Sequence, residues 1–121
     1  DMASTPRILV VDDEAGIRET MGDILTLEGY DVTAVESGEK AVECCGRERY
    51  DFALVDFRMP GLNGLETLRE IKRLSPDTKV IIITGADVGP LAKQAMEEGA
   101  EALFRKPLDV AMFLPLLSSM A

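Results

Sequence analysis

Phe52-Ala53-Leu54-Val55-Asp56-Phe57-Arg58-Met59-Pro60-Gly61 is the stretch that decides the fold. Phe52 to Val55 reads as a buried strand and Pro60-Gly61 as a turn, so Asp56 opens the loop where a strand leaves its sheet. Sites in open α/β sheets form at such strand ends. Three other apolar runs end in the same manner. Ile8 to Val11 runs into Asp12-Asp13, Val80 to Ile83 into Thr84-Gly85, and Ala102 to Arg105 into Lys106-Pro107. If the strands are parallel, three carboxylates, a hydroxyl and an ammonium converge on one edge.

Working outward, strand one (Arg7 to Val11) is a continuous apolar run of the kind covered on both faces. Helix one follows from about Ala15 to Glu28, with Ile17, Met21, Ile24, Leu25 and Leu27 on its inner side and Gly29 closing it. Strand two runs Tyr30 to Val35. Ser37 caps helix two, about Gly38 to Arg47, which buries Ala41, Val42 and Cys45. Helix three, about Gly64 to Leu74, carries Leu65, Leu68, Ile71 and Leu74 at spacings of three and stops before Pro76. Strand four (Val80 to Ile83) is the most apolar and therefore central. Helix four begins at Gly89 or Pro90 and reaches Glu98, with Gly99 as its stop. A short strand five precedes helix five, which takes Asp109 as N-cap and Pro115 as a kink or break.

Strands alternating with helices imply an α/β, doubly wound (βα)5 domain with a five-stranded parallel sheet and right-handed crossovers. With strand one central, the order 2-1-3-4-5 sets the ends of strands one and three side by side, so Asp12, Asp13 and Asp56 become neighbours. Residues 1–6 lack periodicity and read as a disordered leader, in part an expression remnant; residues 7–121 form the domain.

Composition excludes several classes. At 121 residues, 46% hydrophobic and 29% charged, the chain buries roughly two thirds of its unfolded surface and needs no staple. No apolar run approaches the ~18 residues of a membrane helix, and no secretory signal is visible, so a cytoplasmic protein without membrane contact is expected. A net charge of −9 argues against direct nucleic-acid binding by this domain. Cys44 and Cys45 are adjacent on a helix, too strained for a mutual disulfide, and read as reduced thiols. Histidine is absent, which removes imidazole ligands, His-activated nucleophiles and a phosphohistidine-carrier role.

Three carboxylates within a few ångströms repel one another, and Lys106 is the only cation the sequence places nearby. A divalent cation resolves the excess. An all-oxygen donor set favours Mg²⁺, then Mn²⁺, with coordination completed by a backbone carbonyl and waters. The open positions of such an ion suit phosphoryl oxygens. Asp56, lying between the Asp12-Asp13 clamp and Thr84 and Lys106, is then the nucleophile. Aspartate needs no general base at neutral pH and forms an aspartyl phosphate. Lys106 neutralises a second phosphoryl oxygen and Thr84 hydrogen-bonds a third.

The combination Val10-Val11-Asp12-Asp13-Glu14, Asp56-x-x-Met59-Pro60-Gly61-x-x-Gly64, Thr84-Gly85 and Lys106-Pro107, in this order and spacing, resembles the receiver domain of two-component response regulators from Arg7 to about Leu117. The flavodoxin-like strand order comes with that resemblance and is not independent of it. The resemblance implies Asp56 as phosphoacceptor and Asp12, Asp13 and Asp56 as Mg²⁺ ligands, with the Arg58 carbonyl as a backbone ligand. It implies Thr84 as the switch hydroxyl, Lys106 on the phosphoryl group, and a cis bond before Pro107. The implied donor is a sensor histidine kinase, a phosphotransfer protein or a small phosphodonor. The implied output is the face of helix four, strand five and helix five, read by a second copy or an attached domain of a longer regulator.

Two features depart from or add to that pattern. Receivers usually carry an aromatic residue three before the Lys; here that position is Leu103, and Phe104 should face the opposite side of the sheet. Helix five is apolar almost all round, from Val110 to Met120, more than one packing side absorbs. Small Ala86 and long Arg58 flank Asp56 and are expected to set how freely water reaches its phosphate, so Arg58→Ala should change dephosphorylation severalfold. The rivals are a receiver that only docks, a Mg²⁺-dependent aspartyl-phosphate phosphatase, and a flavin module. The phosphatase type carries Asp-x-Asp where this chain has Asp12-Asp13, and Asp12-Asp13-Glu14 would repel a flavin phosphate.

Overall fold

The computed structural model describes residues 5–85 and 89–120. Ten elements alternate as β1 (Arg7–Val11), α1 (Ala15–Leu27), β2 (Asp31–Val35), α2 (Gly38–Arg47), β3 (Phe52–Asp56), α3 (Gly64–Leu74), β4 (Lys79–Thr84), α4 (Pro90–Glu97), β5 (Ala102–Arg105) and α5 (Val110–Met120). The five strands form one parallel sheet in the order β2-β1-β3-β4-β5, the flavodoxin-like arrangement expected.

Strand alternation divides the core in two. Leu9, Val11, Ala53, Val55, Val80 and Ile82 pack beneath α2, α3 and α4, against Ala41, Leu65, Leu68, Ile71 and Ala95. Ile8, Val10, Phe52, Leu54, Ile81 and Ile83 pack beneath α1 and α5, against Met21, Leu25, Phe113 and Leu117. Asp12 continues the Ile8–Val10 row and Asp56 the Phe52–Leu54 row, so both carboxylates emerge on the α1/α5 side.

Three boundaries carry information about the site. Asp56 does not open the loop: it is the last residue of β3, in register with Ile83, because pairing with β4 runs one residue beyond the last pair with β1, Val11 with Val55. The next amide, Phe57 N, still donates to the Ile83 carbonyl at 2.9 Å. At the start of α3, Asn63 and Glu66 form a reciprocal capping box. There Gly64 N donates to the Phe57 carbonyl at 2.8 Å, and a Cβ on Gly64 would lie 2.5 Å from Phe57 Cα. Only glycine permits that approach of α3 to the end of β3.

Ser37 accepts from Lys40 N as the N-cap of α2, and Gly29 and Gly99 follow α1 and α4 in left-handed backbone. Other expectations are corrected. Leu27, placed on the inner side of helix one, is 86% exposed, and Leu74 is exposed at the end of α3. Leu27 shares the exposed face of α1 with Thr20 and Asp23, and Leu74 is the last residue of α3. Val42 is only half-buried. Pro115 does not break α5, which runs through it although the ring offers no amide to the Ala111 carbonyl. Both cysteines are free, and burial pushes the Cys45 thiol up to about 11. No helix among the described residues is long and apolar enough to cross a membrane.

Candidate functional site

The adjacent ends of β1 and β3 bring together the carboxylates the sequence singled out. One oxygen each from Asp12, Asp13 and Asp56 lies within 4.8 Å of the others. Asp12 and Asp56 are only 4% and 6% exposed, whereas Asp13 is exposed. Lys106, delivered from the end of β5, places Nζ 3.2 Å from Asp12 Oδ2, 3.5 Å from Asp56 Oδ2 and 4.0 Å from Glu14 Oε1.

Local backbone fixes each acid. Asp12 N donates to the Val35 carbonyl at 3.2 Å, and Asp12 Oδ1 accepts from Glu14 N at 2.9 Å in a turn that starts α1. Asp56 Oδ1 faces Arg58 N at 3.4 Å while Oδ2 faces Lys106. The Arg58 side chain points out to solvent. Beside the acids, a cavity of about 680 Å³ runs between α1 and the segment after β5, lined by Ile17, Met21, Leu54, Ile83 and Leu108 as well as Asp12, Asp56 and Lys106.

This apolar flank has an electrostatic consequence. Burial, reinforced by the Asp12 charge, raises the Asp56 pKa above the ordinary carboxylate value against the opposing pull of Lys106 and Arg58 N. Burial also works against the Lys106 ammonium, but Asp56 and Asp12 outweigh it and the lysine pKa rises. Three acids sharing one ammonium leave an excess of negative charge. An all-oxygen set of this kind suits a hard divalent cation, so the donor chemistry fits the ion expected there.

Thr84 reaches the site differently. It is buried at the end of β4, its carbonyl accepts from Lys106 N at 2.8 Å, and by alternation its side chain belongs to the Val80–Ile82 face above α3 and α4. The bond before Pro107 is cis. Leu103 pairs with Ile82 and packs in the same core as Ala95 and Ala100. Phe104 pairs with Ile83 on the other face and meets Phe113 edge-on, ring centroids 5.4 Å apart. No bulge rotates the aromatic ring into the place of Leu103. Ala86 lies outside the described residues.

Lys106 is not the only cation near the acids, as the sequence suggested. Arg18, one turn into α1, donates through Nη1 to the Asp12 carbonyl at 2.7 Å. Sequence reasoning missed it because Arg18 has no motif of its own. The available signal was its helix position, since side chains in a helix lean back toward its N-terminus.

Comparison with known proteins agrees with this geometry. The chain is 33% identical over 120 residues to sporulation initiation phosphotransferase F of Bacillus subtilis, a match covering 93% of this chain and 97% of that protein. It is 38% identical over 105 residues to a cyclic di-GMP phosphodiesterase of Thermotoga maritima, covering 87% of this chain but only 28% of that much longer protein. Among solved structures it is similar to the response regulator TrrA of Thermotoga maritima, determined with Mg²⁺ and beryllofluoride, at 31% identity and a TM-score of 0.86 over 97% of this chain and 100% of that one. The family model described as the response regulator receiver domain matches residues 8–117. With that match added to the fold and the carboxylate cluster, the chain belongs to the response regulator receiver domains.

Proposed function

We propose that this domain accepts a phosphoryl group on Asp56 from the phosphohistidine of a sensor histidine kinase or phosphotransfer protein, in a reaction that requires Mg²⁺. The observation that carries the reading is the convergence of three carboxylates on one another with a single lysine ammonium between Asp12 and Asp56. Asp12, Asp13 and Asp56, with the Arg58 carbonyl, would hold the ion. When bound, it supplies positive charge to the acids and to the transferring phosphoryl oxygens.

The residues of the chain do the rest. An Asp56 carboxylate oxygen forms the new P–O bond as the P–N bond of the donor breaks, and the bonding pair returns to the imidazole nitrogen, which takes up a proton. With a small acyl phosphate, a P–O bond breaks and a carboxylate leaves. Lys106 stays with the charge that develops on the phosphoryl group, and the Thr84 hydroxyl hydrogen-bonds another of its oxygens.

Movement of Thr84 then reshapes the face of α4, β5 and α5, where Leu91, Met96, Met112 and Leu116 are exposed. An attached domain of a longer regulator, or a second copy, reads that face. Leu103 packs the pocket beside Ala95 and Ala100, so the signal passes through backbone shifts and not through rotation of an aromatic ring. A role limited to docking fits less well, because two buried carboxylates sharing one lysine burden the fold with no return if nothing binds between them.

Mass spectrometry after incubation with acetyl phosphate and Mg²⁺ tests the reading. One phosphate on the wild type, none on Asp56→Asn and none after chelation are expected. Equal labelling of Asp56→Asn overturns the assignment. Turnover of a phosphate monoester would favour a phosphatase instead.

A further inference from the structure

We propose that Arg18 is a positioning residue for the cation site: its guanidinium fixes the peptide between Asp12 and Asp13 and thereby keeps the Asp13 carboxylate in the cluster. The inference rests on the reading of Asp12, Asp13 and Asp56 as divalent-cation ligands.

Asp12 is held at four points. Its amide donates to the Val35 carbonyl at 3.2 Å, Oδ1 accepts from Glu14 N at 2.9 Å, and Oδ2 meets Lys106 Nζ at 3.2 Å. The fourth point is the carbonyl, which accepts from Arg18 Nη1 at 2.7 Å. The Oδ1 bond closes a turn around the peptide that follows, and the Arg18 bond is the one of the four made to an atom of that peptide's own plane. That plane decides where the next residue points. Asp13 is exposed, and its carboxylate joins the cluster as the preceding peptide directs it. Arg18 is well placed to hold that plane. Its own amide donates to the Glu14 carbonyl at 3.1 Å, so it belongs to the rigid first turn of α1, and its side chain reaches back over that turn.

Charge and position make opposite demands here, and this makes the proposal decidable. Removing a cation from beside three carboxylates should tighten cation binding on Coulombic grounds. Removing the tether should weaken it, as loss of groups that orient metal ligands does, by about tenfold. Arg18→Met keeps the apolar stem and helix propensity of the side chain while deleting both charge and donor.

The test is the affinity for Mn²⁺, read from free-ion electron paramagnetic resonance at fixed pH and ionic strength, with metal-free melting recorded alongside. Arg18→Met should bind about tenfold more weakly than wild type, with Arg18→Lys between the two and melting temperatures little changed. Arg18→Gln, neutral and too short to span to the carbonyl, should also bind more weakly, and it decides the matter if the Met variant does not fold. Neutral variants that bind as tightly as wild type, or more tightly, overturn the positioning role alone. A wild type that takes up no Mn²⁺ overturns the cation reading beneath it, and the role of Arg18 with it.

Discussion

The two edges of the sheet use similar residues to different ends. At the N-terminal edge, charged and polar groups find partners. Arg7 N donates to Asp51 Oδ2 at 2.8 Å, and the Arg7 guanidinium pairs with Asp31 at 3.5 Å and with Glu48 while lying over the Tyr50 ring. Thr78 Oγ1 donates to the Tyr50 carbonyl at 2.7 Å, and Lys79 Nζ meets the Met120 carbonyl at the end of α5. At the C-terminal edge three carboxylates share one ammonium, and two of the three are buried. Balanced charge at one edge serves stability. Unbalanced, buried charge at the other costs stability and leaves the negative excess that the proposed cation would offset.

The sharpest way to break this contrast is Asp56→Asn. Beyond abolishing phosphoryl uptake, it should raise the melting temperature of the metal-free protein at neutral pH, because the ionised carboxylate is the disfavoured form. The sign follows from linkage. A carboxylate whose folded pKa lies above its unfolded one adds no penalty below the ordinary value near 3.8, and its penalty grows as pH rises through the folded value. The melting difference between the Asp56→Asn variant and wild type should therefore open with rising pH in that window, and Mg²⁺ should close it by stabilising only the wild type. Thermal scans across pH and Mg²⁺ concentration check this; a variant less stable than wild type at neutral pH would contradict it.

Gly64→Ala should act on both counts, because its Cβ must push on Phe57 beside Asp56. We expect a loss of about 1–3 kcal/mol in denaturant unfolding together with slower phosphorylation. Thr78→Val at the opposite edge should cost about 1–2 kcal/mol by leaving the Tyr50 carbonyl without its donor. It should leave phosphorylation by acetyl phosphate unchanged. The smallest effect is expected for Arg7→Met. Its ion pairs are partly solvated, so the loss should stay under about 1 kcal/mol and shrink further in salt. A large effect of Thr78→Val on phosphoryl uptake would merge the two edges that the structure separates.

Much of this contrast was legible in the residues. Alternating apolar runs and glycine stops gave the order of elements, and four strand ends, each closing on a reactive residue, gave the upper edge. Alternation also placed Leu103 and Phe104 on opposite faces, because in a paired strand the period of two leaves no choice. What the sequence withheld depends on reach and closure. Arg18 is a plain helix residue until the loop before it is seen to curl beneath its guanidinium. Leu27 reads with its apolar neighbours although it shares the helical row of exposed Thr20 and Asp23, and Leu74 continues a spacing of three that drifts off the buried face by the last residue of α3. Asp56 looked like the first loop residue because Pro60-Gly61 is so near, but pairing with β4 carries the strand through it. The Asn63-x-x-Glu66 capping box was readable and simply stood outside the reactive pattern.

A crystal of the domain soaked in Mn²⁺, with anomalous diffraction recorded above the manganese edge, tests the unbalanced edge most directly. One strong peak in contact with Asp12, Asp13 and Asp56 oxygens is the expected result. A crystal in which that cluster stays empty, or in which the acids have moved apart, would contradict it.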